Sequence, residues 1–287
     1  MATEQTLIPH SMEHSNMRGG ASSRPEDVLE DIAYLSRSDT RMEVLDVLAG
    51  APHTPREITE RTDIPRSTLR RTLTEMGERG WVERTTDGEY ILTATGEHIA
   101  DETERYVGAM QAIRVLGDGV AWLPNDELTI GLQYFREATV LRPEPNATSA
   151  PSTHAIELMR EATEFACLVN IAPSLGFENA MMDGVVDGRL SAKHIITDDE
   201  LAVLRQNADR TSRWQTYIEA GANLYCYDGC IPCNLLVIDE TVFILDRQPE
   251  AIEAIKSTNA VVRSWAHKVI NDYRGDSERL TAATFAR

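Results

Sequence analysis

Three of the chain's four cysteines fall in one eight-residue stretch, CYDGCIPC, as Cys226, Cys230 and Cys233. Thiolates at this spacing could hold a metal or an iron–sulfur cluster, or exchange electrons. A tetrahedral zinc site would need a fourth ligand, and Cys167 and His194 are the available donors. Cys230 and Cys233 form a C-x-x-C pair, but it does not open a helix after a strand, so nothing visible would stabilise a thiolate. A plain structural role fits the same residues. Cys226 and Cys230 then flank a turn at Asp228-Gly229, and Cys233 and Cys167 act as small buried hydrophobes. Other catalytic signatures are missing. There is no Ser-His-Asp set and no H-E-x-x-H, and Gly176, Gly184 and Gly188 lack the strand–loop–helix setting of a phosphate loop.

A second group of residues suits nucleic acid. The run IPRSTLRRTL, residues 64–73, contains no acidic residue, in a chain with 46 acidic and 28 basic side chains and a net charge of -18. Arg66, Ser67, Thr68, Arg70, Arg71 and Thr74 would share the solvent face of one helix. Arg can grip guanine with two hydrogen bonds, and Ser and Thr can reach bases or phosphates. Arg84, Thr85 and Thr86 follow in a short hairpin and suit the DNA backbone or the minor groove. A third group, Arg160, His194, Trp214, Tyr225 and Tyr227, offers candidates for an effector pocket in the second half of the chain.

The elements that must position these groups read as follows. Residues 1–25 show no periodicity and are expected to be a disordered tail. Val28, Leu29, Ile32 and Leu35 have helical spacing, as do Val44, Leu45, Val47 and Leu48 in a helix capped by Asp39. Thr54, Pro55 and Glu57 spell a capping box at the start of a short helix. The Arg-rich helix comes next, then a hairpin with Trp81 and Val82 on one strand, Tyr90 and Leu92 on the other, and a turn at Asp87-Gly88. A helix over residues 97–117 serves as linker and dimerisation element. Beyond it the strands 166–171, 191–197, 222–228, 234–239 and 241–246 alternate with helices at 153–165, 198–219 and 248–255. An amphipathic helix from Ala260 to Arg274 closes the domain. Strands spaced by helices argue for an α/β fold. The expected plan is a DNA-binding domain over 26–96, an α/β sensory domain over 118–275 and a flexible tail over 276–287. No run of eighteen apolar residues occurs and the N-terminus is unlike a signal peptide, so a cytoplasmic protein without a membrane span is expected.

Residues 38–96, through REITERTDIPRSTLRRTLTEMGERGWVERT and YILTATG, resemble the winged helix-turn-helix domain of archaeal regulators of the ArsR/MarR-like type. Thr93 and Gly96 match that family's junction between wing and following helix. The plan of the whole chain resembles a group of haloarchaeal transcriptional regulators with C-terminal sensory domains. The resemblance implies double-stranded DNA as partner, a homodimer and an unknown effector, and no enzyme activity. Acidic excess with only three lysines (Lys193, Lys256 and Lys268) is similar to the proteins of salt-in halophiles. In molar salt the Debye length is about 3 Å, so an acidic chain can still bind DNA through a locally basic face.

A weaker resemblance is to the phospholipase-D-like fold. There PCNLLVID puts Pro232 and Asn234 where the family has His and Lys, and keeps only Asp239, so the nucleophile is absent. The C-x3-C-x2-C spacing is similar to that of radical S-adenosylmethionine enzymes, but only 54 residues follow Cys233, too few for their barrel. Two other functions stay on the table: a protein-interaction adaptor, and a metal- or redox-active enzyme built on the 226–233 cysteines.

Overall fold

The computed structural model describes residues 25–143, 150–246 and 253–285. Two compact units divide at Asp101 and Glu102. The expected disordered tail lies outside the described residues, save Pro25.

The N-terminal unit consists of α1 (Pro25–Ser36), α2 (Asp39–Gly50), α3 (Pro55–Arg61), α4 (Arg66–Glu78), and the hairpin β1 (Val82–Arg84) and β2 (Tyr90–Leu92), followed by the start of α5 (Ala94–Leu116). The capping box at α3 is formed. Thr54 Oγ1 accepts from Glu57 N, and the Glu57 carboxylate accepts from Thr54 N at 2.8 Å. Asp39 is the first residue of α2 rather than its cap; Ser38 takes that position and makes no side-chain bond. Val44, Leu45, Ile58, Leu69, Leu73, Met76 and Trp81 form the core. Tyr34 packs edge-on against Trp81, and the guanidinium groups of Arg41 and Arg79 lie 3.8 and 4.0 Å from the centre of its ring. At the junction after the wing, Thr93 Oγ1 donates to Gly80 O at 2.6 Å and accepts from Gly96 N at 3.0 Å. A Cβ at position 96 would sit 1.9 Å from Trp81 O, so only glycine allows this approach.

The C-terminal unit is an eight-stranded mixed sheet with helices on both faces. Its elements after α5 are β3 (Thr139–Leu141), α6 (Ala150–Glu161), β4 (Glu164–Val169), α7 (Leu175–Val186), β5 (Ser191–Thr197), α8 (Asp198–Arg205), α9 (Ala208–Glu219), β6 (Asn223–Tyr227), β7 (Asn234–Ile238), β8 (Thr241–Leu245), β9 (Ala254–Ser257), α10 (Ala260–Gly275) and β10 (Glu278–Arg279). The strand order is β10-β6-β5-β4-β7-β8-β9-β3. β4, β5 and β6 run parallel; every other neighbouring pair is antiparallel. Side chains alternate between two cores. Phe165, Cys167, Ile196, Leu224, Cys226, Leu236 and Phe243 face α6, α7 and α9. Ala166, Leu168, Ile195, Leu235, Val237 and Ile244 face α10 and the last turns of α5, where Ala112 and Leu116 are buried. Strands covered on both sides read as near-continuous apolar runs, as these do.

Several expectations need correction. The helix expected over 153–165 ends at Glu161, and Glu164 and Phe165 begin β4. The helix expected over 198–219 is two, because Asn207 interrupts it and caps α9 by accepting from Arg210 N at 3.1 Å. The helix expected over 248–255 is replaced at its end by β9, while residues 247–252 lie outside the description. The flexible tail expected over 276–287 is ordered through Phe285: β10 pairs with β6, and Leu280 and Phe285 are buried. The division between units falls inside the expected 97–117 linker, whose later turns belong to the C-terminal core.

Candidate DNA-binding face and ligand pocket

α3 and α4 are joined by the short connection at residues 62–65. Ile58, Leu69 and Leu73 face inward, which leaves Arg66, Ser67, Arg70, Arg71 and Thr74 exposed along α4 and Thr68 half-buried. Arg66 and Arg70 are one helical turn apart. They line an open groove together with Arg84 of the wing and Arg56 of α3. Arg84 extends along the wing, donating to Gly88 O at 3.4 Å and lying 5.8 Å from the Tyr90 ring. Arg71 instead leans toward Glu75 at 3.7 Å. Thr74 Oγ1 donates to Arg70 O, and Thr85 Oγ1 accepts from Glu89 N inside the wing turn, while Thr86 is exposed. Arg56 was not among the sequence candidates. It lies within the capping box, between Thr54 and Glu57, and pairs with Glu60 at 2.7 Å, so it reads as ordinary helix surface. Arg79, at the C-terminal end of α4, does not join the face. It stacks on Tyr34 and pairs with Asp31 at 3.2 Å.

The four cysteines do not converge. Cys226 and Cys233 belong to opposite cores of the sheet, because β6 and β7 alternate their side chains, and Cys230 is exposed in the connecting loop. Cys226 Sγ donates to Asp198 at 2.8 Å, and burial together with that carboxylate pushes its thiol up to about 12. Cys167 lies 3.2 Å from His194 Nδ1, and His194 Nε2 lies 2.6 Å from the Tyr217 hydroxyl. Burial holds this set neutral: it raises the Cys167 thiol and the Tyr217 phenol and lowers His194 to about 3. With imidazole and thiol both neutral, nothing beside Cys167 stabilises a resident thiolate. Among the described residues no cluster of three or more His, Cys, Asp or Glu could hold a metal ion. The four cysteines and His194 therefore do not gather into one metal site among the described residues. Asp239, the one acidic match to the phospholipase-D-like pattern, sits in the β7–β8 turn with φ 47°. Its Oδ1 accepts from Thr163 N, Thr163 Oγ1 and Glu164 N at 2.9–3.0 Å, which ties the turn to the start of β4.

The proposed effector residues split. His194 and Trp214 line a cavity of about 80 Å3 between the sheet and α6, α7, α8 and α9. Tyr225 and Tyr227 point to the opposite core, and Arg160 is exposed on α6. The cavity wall is mostly apolar, with Phe165, Phe177, Met181, Leu236 and Phe243. Its lining also includes Glu200, which sequence reasoning missed because Thr197-x-x-Glu200 reads as an exposed capping box. Instead Glu200 is 4% exposed, and its Oε1 has no hydrogen-bond partner among the described residues. Burial, reinforced by Glu178, raises its carboxyl to about 7 against the pull of Arg210. Glu178, itself 1% exposed, is held by Arg210 at 3.0 Å and Arg213 at 3.6 Å.

Among the described residues no helix is long and apolar enough to cross a membrane. Residues 29–114 match the HVO_A0261 N-terminal domain family, and residues 148–276 match the middle domain of the methanogenesis regulatory protein FilR1. No curated protein sequence matches the chain at a significant level. Among solved structures, TrmBL2, an archaeal chromatin protein described as showing a novel mode of DNA binding, is 16% identical. It aligns over 90% of this chain and 100% of its own with a TM-score of 0.41. Nuc from Salmonella typhimurium, a phospholipase D family member, is 11% identical over 50% of this chain and 99% of its own, with a TM-score of 0.39. NucT from Helicobacter pylori is 9% identical over 50% and 98%, with a TM-score of 0.38. Likeness at these scores is too distant to define this chain's chemistry. The chain thus joins a domain of the HVO_A0261 N-terminal type over residues 29–114 to a domain of the FilR1 middle type over residues 148–276.

Proposed function

We propose that the chain regulates transcription by binding double-stranded DNA as a homodimer, with α4 in the major groove and the wing on the backbone or minor groove. The C-terminal domain binds a small effector in the cavity that Trp214 and Glu200 line. The observation that carries the DNA reading is the groove where Arg66 and Arg70 of α4 meet Arg84 of the wing, with no acidic residue on α4 before Glu75. Arg66, Ser67 and Thr68 begin α4 and are the base-reading candidates, because the N-terminal residues of a recognition helix contact base edges. Arg70, Arg71 and Thr74 read bases or hold phosphates; Arg84, Thr85 and Thr86 hold the backbone.

Homodimerisation is supported by α5. Tyr106, Met110 and Ile113 are 65%, 44% and 39% exposed and recur at intervals of four and three, the spacing of a coiled-coil seam. A two-fold dimer would then face a two-fold operator. The test is selection of binding sites from fragmented genomic DNA by the purified chain, followed by titration of the selected duplex over a range of salt. A palindromic site and a salt slope lowered by about 1 per removed phosphate-contacting arginine are expected. Enrichment of no sequence would refute the reading.

A further inference from the structure

The cavity of the C-terminal domain is chemically lopsided. Phe165, Phe177 and Phe243 supply aromatic wall, and two other lining residues, Trp214 and Glu200, each carry a buried polar atom, Nε1 and Oε1, without a hydrogen-bond partner among the described residues. Two further polar side chains of the lining are engaged. His194 uses both ring nitrogens on Cys167 and Tyr217, and Ser174 caps α7 by accepting from Phe177 N. A buried polar atom left unanswered is costly, so two among the residues lining one cavity point to an occupant that answers them. The volume of about 80 Å3 is several times the 10–15 Å3 or so that one water requires, and an apolar-lined space of this kind takes apolar molecules.

The two orphaned groups restrict what that occupant presents. Indole N–H only donates, so the ligand must carry an acceptor. An ammonium group has none and would leave Trp214 unanswered. A carboxylate or phosphate would meet Glu200 with no Lys or Arg lining the cavity, while Arg210 and Arg213 are already committed to Glu178. A ketone could answer Trp214 but needs Glu200 protonated. A hydroxyl serves in either state of that carboxyl, because its oxygen accepts while its O–H donates or accepts in turn.

We propose that the cavity binds a small, flat, mostly apolar molecule with one hydroxyl group, whose oxygen accepts from Trp214 Nε1–H while the hydroxyl pairs with Glu200. This rests on reading the C-terminal domain as the ligand-binding part of a regulator, and names the class of ligand. Calorimetric titration of the full chain with phenol, toluene, benzoate and benzylamine tests it without any mutation. Phenol should bind at least tenfold more tightly than toluene, and benzoate and benzylamine should bind more weakly than phenol. In Trp214→Phe the preference for phenol over toluene should shrink to about twofold, with toluene binding kept as proof of an intact cavity. Equal affinity of the wild-type chain for phenol and toluene, or stronger binding of either charged analogue, overturns the proposal. Running the same preparations on the selected DNA separates the two readings. DNA binding without phenol binding removes the ligand class alone, whereas phenol binding without DNA binding removes the regulator and leaves the ligand class standing.

Discussion

Glu200→Gln should change how the C-terminal domain's stability depends on pH. In the folded chain the Glu200 carboxyl is raised from 4.5 to about 7, first by burial and then by Glu178. The folded state therefore holds this proton more tightly than the unfolded state. Stability from Glu200 is greatest below pH 4.5 and is lost as pH rises toward 7, the reverse of a salt-bridged carboxylate. A gap of this size corresponds to about 3 kcal/mol. Partial solvation of the carboxyl discounts this to roughly 2 kcal/mol. Gln has the same shape and no proton to lose. The two chains should be equally stable near pH 4.5, and the variant should gain roughly 2 kcal/mol over wild type by pH 7.5. In a unit of this size that equals roughly 4–8 °C in melting temperature. Melting followed by tryptophan fluorescence reports mainly on this unit, since Trp122, Trp214 and Trp265 lie in it and only Trp81 lies in the other. Taking the difference between two chains cancels every other titrating group. Parallel curves for the two chains from pH 4.5 to 7.5 would refute the reasoning.

Gly96→Ala would place a Cβ 1.9 Å from Trp81 O and should destabilise the N-terminal domain by at least about 2 kcal/mol in urea melts, whereas Gly77→Ala, whose nearest atom is 3.8 Å away, should be neutral or mildly stabilising. Arg79→Ala should cost about 1–2 kcal/mol of stability through its lost contacts with Tyr34 and Asp31, yet leave the salt slope of DNA binding unchanged. Met110→Asp with Ile113→Asp should turn a dimer into monomers in sedimentation, because charges cannot be buried in an apolar seam. The purified chain should release no stoichiometric zinc to a chelator and should show the same melting temperature with and without it.

The sequence was most informative where one local rule decides the outcome. The capping box at Thr54, the turn at Gly88 and the apolar runs of β5, β7 and β8 follow from composition within a few residues. The exposed face of α4 was legible for the same reason: a helix with Leu69 and Leu73 inside must carry Arg66 and Arg70 outside. The C-terminal site was only half legible. His194 and Trp214 line the cavity, but Tyr225 and Tyr227 do not, because the face of a strand is fixed by sheet pairing and a one-residue shift reverses it. The same alternation separates Cys226 from Cys233, so closeness in sequence did not become closeness in space. β9 was missed because Ala254–Ser257 is short and carries Lys256, and its identity comes from pairing with β8 and β3. Glu200 was hidden by its local sequence, which describes a helix cap while the tertiary fold buries it.

The central claim is that α4 and the wing read DNA. Its most direct test is genome-wide occupancy in cells at native salt, comparing wild type with Arg66→Ala/Arg70→Ala at equal protein level and equal melting temperature. Discrete wild-type peaks sharing one motif, lost in the double variant, are the predicted result. Unchanged peaks in the double variant would contradict the account.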